Sequence, residues 1–197
     1  MPIVFPTPAT PSSASTGDME LLFSTTLTGT TNTVSTGTLP TGYRHLRIFI
    51  SAKCDRASEA GCGGNVGARF NGDTSNSYLM LRNRLIANGS AVGPPVTGIT
   101  PSNYAAVASS TGSNISPAPA NPDTFSAVVV DVLNHEVTTR HKAWTSQVTS
   151  IASASNCAQV TLRGGVWQNT AAITSITFID PVFGMLPGSS FQVYGIR

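Results

Sequence analysis

Val166–Arg197 reads VWQNTAAITSITFIDPVFGMLPGSSFQVYGIR, and this stretch decides the fold class. Two runs, AITSITFI (172–179) and SSFQVYGI (189–196), alternate apolar residues with Ser, Thr and Gln. That period of two is the signature of a half-buried strand. Between them lie Pro181, Gly184, Pro187 and Gly188, residues that break strands and shape turns. Phe178, Phe191 and Val193 are expected to point into the core. The segment carries no acid–base or nucleophile pair, so its message is architecture.

The same grammar recurs upstream. MELLFSTTL (19–27) and the weaker TNTVSTGTL (31–39) read as strands, followed by a turn at Leu39-Pro40-Thr41-Gly42. YRHLRIFISAK (43–53) alternates most cleanly, with Leu46, Ile48 and Ile50 on one face and His45, Arg47 and Phe49 on the other. Asn71-Gly72-Asp73 is a strong turn signal, because Asn and Gly both tolerate positive φ. Tyr78 to Leu85 suits a strand or a short helix. Phe125–Leu133 is a nearly continuous β-branched run of the kind found in core strands. Lys142–Val148 and Val160–Val166 add two more, for eight or nine strands and no amphipathic helix. Residues 87–123 lack a pattern, apart from a short strand at Tyr104–Val107, and a loop that long suggests a contact surface. No internal repeat is present. The expected fold is all-β, an antiparallel β-sandwich of jelly-roll type spanning 18–197. A Pro/Ser/Thr-rich extended arm (1–17) precedes it.

Composition narrows function. Among 197 residues only 10% are charged and the net charge is +2, which leaves no electrostatic footprint for nucleic acid or an anionic membrane. Ser and Thr make up about a quarter of the chain, a surface that suits a protein held inside a larger assembly. No run reaches the roughly 18 apolar residues that span a bilayer. The N-terminal MPIVFPTPATPSSAST has no basic region and is broken by prolines, so synthesis in a cytosol without export is expected. Three cysteines, Cys54, Cys62 and Cys157, favour free thiols over a disulfide framework, with a Cys54–Cys62 bond as the alternative.

Chemistry is hard to nominate. The nine acidic residues are scattered, and no carboxylate pair is singled out. Asp73 is accounted for by turn chemistry. His135-Glu136 and His141 have the wrong spacing for a zinc-protease helix. Gly61-Cys62-Gly63-Gly64 opens no helix and is not a phosphate cradle. Trp144 and Trp167 sit on predicted strands and are read as packing residues rather than sugar platforms. No catalytic, cofactor-binding or metal-binding residue is assigned, and no cofactor is implied.

Four segments together resemble a family of tailed-bacteriophage virion proteins. They are LPTGYRHLRIFISAK (39–53), Arg69-Phe70-Asn71-Gly72-Asp73 followed by Tyr78, VVDVLNHEVTTRHKAW (129–144), and Trp167 to Ile196 with Val193 where Leu is usual. The departures are the Cys54–Cys62 insert, a Pro-rich stretch at 117–122 and a short arm with no fibre shaft. The resemblance implies a non-enzymatic jelly roll on the virion exterior, made in the host cytoplasm. It implies a capsid decoration (cement) protein, expected as a homotrimer on the major capsid protein. The alternative it allows is a tail-fibre or receptor-binding module whose partners are tail proteins or a host surface glycan. Residues of buried type in patternless segments are the expected partner contacts: Ile3, Val4 and Phe5 in the arm, and Val96, Ile99 and Tyr104 in the long loop.

Overall fold

The computed structural model describes residues 19–56, 64–87, 100–108, 123–152 and 157–197. Twelve strands are described: β1 (Met19–Thr26), β2 (Thr33–Ser35), β3 (His45–Ala52), β4 (Val66–Phe70), β5 (Tyr78–Ala87), β6 (Thr100–Ser102), β7 (Ala105–Ala108), β8 (Ser126–Val132), β9 (Lys142–Ala152), β10 (Cys157–Trp167), β11 (Ile176–Ile179) and β12 (Ser190–Ile196). They form an eight-stranded sheet, β1-β12-β3-β8-β9-β10-β5-β6, and a four-stranded sheet, β2-β11-β4-β7. Every ladder is antiparallel.

The strand order is that of a jelly roll. The quartet β1-β12-β3-β8 faces β2-β11-β4-β7, and the chain passes directly from one quartet to the other at β1–β2, β2–β3, β3–β4, β7–β8 and β11–β12. Four further strands, β9, β10, β5 and β6, widen the large sheet beyond β8. The all-β sandwich expected from sequence is therefore present, with twelve strands among the described residues rather than eight or nine. Tyr78–Ala87 is a strand, not a helix. β9 and β10 continue well past Val148 and begin before Val160 because antiparallel pairing carries Ser- and Ala-rich residues that have no alternation of their own.

Alternation does the folding work at the centre. In β3, Leu46, Ile48, Ile50 and Ala52 are buried while His45, Arg47 and Phe49 are only partly covered. In β12, Phe191 and Val193 are buried, and the Phe191 ring meets Phe178 of β11 across the sandwich at 5.1 Å. Trp144 and Trp167 are both 1% exposed, in agreement with their reading as packing residues.

The Asn71-Gly72 turn forms with φ of 53° and 69°, and Asp73 N donates to Phe70 O at 3.0 Å. It joins β4 of the small sheet to β5 of the large one, so it carries the chain between layers instead of closing a hairpin. The Asn71 side chain holds this corner. Its amide nitrogen donates to Ala172 O, and its oxygen accepts from Thr174 N and Ser175 N.

Candidate interaction surface

The segments singled out in the sequence serve the fold. Asp73 accepts hydrogen bonds from Ser75 Oγ, Ser77 Oγ and the Trp167 indole Nε1, the last at 2.6 Å. Tyr78 Oη accepts from Phe70 N at 2.9 Å, and the rings of Phe70, Tyr78 and Trp167 pack together at 5.6–6.2 Å. Burial alone would raise the Asp73 carboxyl, but these hydrogen bonds outweigh it and hold it below the ordinary range. The sign of the pH effect follows. An unfolded Asp takes a proton near pH ~3.9. The folded one resists protonation, so its stabilisation is complete above that pH and fades as pH falls toward the depressed value. Asp73→Asn is expected to lower the melting temperature at pH 7 and to flatten its decline below about pH 4. Melting curves at several pH values check this, and parallel declines for both proteins would refute it.

At one end of the sandwich, His135 is buried with its Nε2 3.6 Å from Glu136 Oε1. Burial lowers its pKa against the pull of Glu136. Glu136 Oε1 also accepts from Gly42 N and Tyr43 N, which fastens the 39–42 turn to the loop after β8. His141 is exposed, so these residues do not converge on a common point. Lys142, also buried, donates from Nζ to the carbonyl oxygens of Val137, Arg140 and Thr170. Cys54 is buried against Gly64, and burial pushes its thiol up to about 11, which leaves it inert near neutrality. Asp180 accepts from the backbone nitrogens of Asn65, Val182 and Phe183 and so caps a turn. Among the described residues, no group of three or more His, Cys, Asp or Glu is placed to hold a metal.

The surface feature that stands out lies on the outer face of β5 and β10. Leu81 and Leu162 are each 52% exposed and Val160 48%. Leu79, Leu81, Gly164 and Val166 line a shallow depression of about 290 Å³ whose walls are almost wholly carbon. Gly164 makes the hollow: a Cβ there would meet nothing closer than 3.8 Å. Gly165, facing inward, has the opposite reason, since its missing side chain admits the Trp144 indole. Sequence reading missed this patch. β5 has no alternation to separate its faces, and β10 loses its alternation at Gly164-Gly165.

Of the expected contact residues, Ile3, Val4, Phe5, Val96 and Ile99 lie outside the described residues, as does the arm as a whole. Tyr104 is half-buried, its ring laid over Gly67 of β4, where a Cβ would come within 2.4 Å of it. Cys62 also lies outside the described residues, and with it the question of a bond to Cys54.

Fold and surface together define a class: a jelly-roll sandwich with a widened sheet and an uncharged apolar strip on its outer side. Compared with family models, with curated proteins and with solved structures, the chain finds no match.

Proposed function

We propose that this chain is a non-enzymatic structural component of a tailed-phage virion, a decoration protein that stabilises the shell by bridging capsomers of the major capsid protein. The observation that carries this reading is the apolar strip of exposed Leu81, Val160 and Leu162 with half-buried Leu79 and Val166 beside them, on a chain with so few charges. Contiguous apolar surface of this kind is a marker of contact with another protein. The sequence resemblance supplies the virion context, and the jelly-roll order is the architecture that the resemblance implies.

The mechanism is linkage. A subunit that binds the assembled shell and not its loose parts lowers the free energy of the assembled state. A contact of about 1,600 Å² would be of ordinary size for a specific interface. Copy number per particle tests the proposal. Shell symmetry multiplies a decoration protein to on the order of hundreds of copies, against at most tens for a tail component. A stained gel of purified particles that gave a tail-like number would favour the receptor-binding alternative and refute decoration. Deleting residues 1–12 is expected to lower shell occupancy, and unchanged occupancy would remove the arm from the contact.

A further inference from the structure

We propose that His135 is an acid-sensitive pin, whose protonation loosens one end of the sandwich while the rest of the fold stands. His135 lies where three connections meet: the turn that leads into β3, the loop after β8, and the 168–175 loop between β10 and β11. Its backbone nitrogen donates to Arg44 O at 3.2 Å, and its carbonyl accepts from Ile173 N at 2.9 Å. Next to it, Glu136 Oε1 accepts from Gly42 N at 2.7 Å and from Tyr43 N at 3.3 Å. Asn134, in a left-handed turn with φ of 53°, donates from its backbone nitrogen to His45 Nδ1 at 3.1 Å. Residues 134–136 thus fasten together connections that are far apart in the chain.

The imidazole inside this junction is 1% exposed. A neutral ring suits the site and a charged one does not. Nε2 faces Glu136 Oε1 at 3.6 Å, longer than a hydrogen bond, and that oxygen already serves two backbone N–H groups. Nδ1 meets no hydrogen-bond partner among the described residues. A neutral imidazole needs one donor and one acceptor, whereas an imidazolium donates from both nitrogens. Protonation therefore buries a charge and a second donor that no acceptor receives.

The charges around the ring act in both directions. On its own loop Glu136 attracts the proton, while Arg140 and His141 are exposed. At the start of β3 stand His45, which repels it, and Arg44, whose carbonyl favours the charged ring. The Arg44 guanidinium is turned away to Asn134 Oδ1, at 3.5 Å. β9 brings the Lys142 ammonium, which also repels the proton. From the C-terminus the Arg197 guanidinium lies over the Tyr43 ring at 5.3 Å. The 168–175 loop brings no ionisable residue. Burial outweighs the pull of Glu136 and of the Arg44 carbonyl, so the folded ring resists the proton. A histidine released to water titrates near pH ~6.5. The opened end takes the proton below that pH and the closed end does not. Closure is therefore complete above about pH 6.5 and fades as pH falls toward the lower value of the folded ring.

The pin does not depend on the proposed virion role, and its test uses the free full chain. Hydrogen-exchange protection factors, which remove the intrinsic pH dependence of exchange, read the opening. Between about pH 7 and pH 5, protection at the amides of Gly42, Tyr43, His135 and Ile173 should fall by up to about twentyfold. The amides of β12 should keep theirs, because Asp73 responds only below about pH 4. His135→Gln cannot take the proton and retains an N–H toward Glu136, so its protection should be level across this window. His45→Asn retains an acceptor for Asn134 N and should respond as the wild type does. Unchanged wild-type protection at the lower pH, an equal fall in His135→Gln, a response lost in His45→Asn, or a fall shared by β12 would each overturn the pin. If His135→Gln fails to fold by circular dichroism, nuclear magnetic resonance titration of the wild-type ring decides. A ring that stays neutral below about pH 6.5 supports the pin, and one that titrates at or above that value overturns it.

Discussion

Trp167→Ala is expected to destabilise the fold by about 3–5 kcal/mol, the cost of emptying a buried aromatic site that cannot collapse. Trp167 closes β10 where β5 enters the large sheet, and it packs on both Phe70 and Tyr78. Its indole nitrogen is also one of the donors that keep the Asp73 carboxylate charged. Truncation therefore removes packing and leaves a half-covered anion short of a partner, and the two losses act on the same corner. Trp167→Phe separates them, because it restores most of the volume and none of the hydrogen bond. Its cost should approach the 1.5–3 kcal/mol or so that a hydrogen bond to a charged group contributes. Combining Trp167→Phe with Asp73→Asn should then cost less than the sum of the single changes. Denaturant unfolding of the four proteins measures this cycle, and strict additivity would show that the 2.6 Å contact contributes nothing.

The second large effect is expected at Lys142. Replacing a buried charge with an apolar side chain of similar shape is often neutral, because desolvating the charge was costly in the first place. Burial does lower the pKa of this ammonium. Here, however, its partners are three backbone carbonyls, of Val137, Arg140 and Thr170, and they stay in place whatever residue stands at 142. An acceptor left without a donor costs up to about 1–3 kcal/mol when buried, and here three part-buried ones are left together. Unsatisfied acceptors therefore outweigh the relief of desolvation, and Lys142→Met should lose on the order of 3 kcal/mol. Arg140 and Thr170 lie in different loops, so their tie should loosen first. Faster hydrogen exchange at the amides of 168–173 would report it. A melting temperature equal to or above that of the parent would show that desolvation dominates after all.

These two sites also show how far the sequence could be read. β3 and β12 were legible because each has one face in the core and one outside, and such strands write their orientation as alternation. Phe178, Phe191 and Val193 were placed in the core on that basis, and all are 0% exposed. The Asn71-Gly72 turn was legible because positive φ at two successive positions leaves few residue choices. Its role as a crossing between sheets was not, since a turn signal does not say which strands it joins. Lys142 was read only as the start of a strand. Nothing local marks a lysine as buried when its partners are carbonyls 28 residues away and in the preceding turn. The wide end of the large sheet was read too short for a similar reason. Ser150, Gln159 and Thr161 face inward and are buried, although their residue types favour solvent.

The sequence by itself determined that this protein is an all-β sandwich built of short antiparallel strands. That outcome depends on period-two patterning and turn chemistry, both of which act within a few residues. Only the tertiary structure decided the jelly-roll order and the widening of one sheet. Those features depend on register between strands far apart in the chain, and register is fixed by which faces find each other in the packed core.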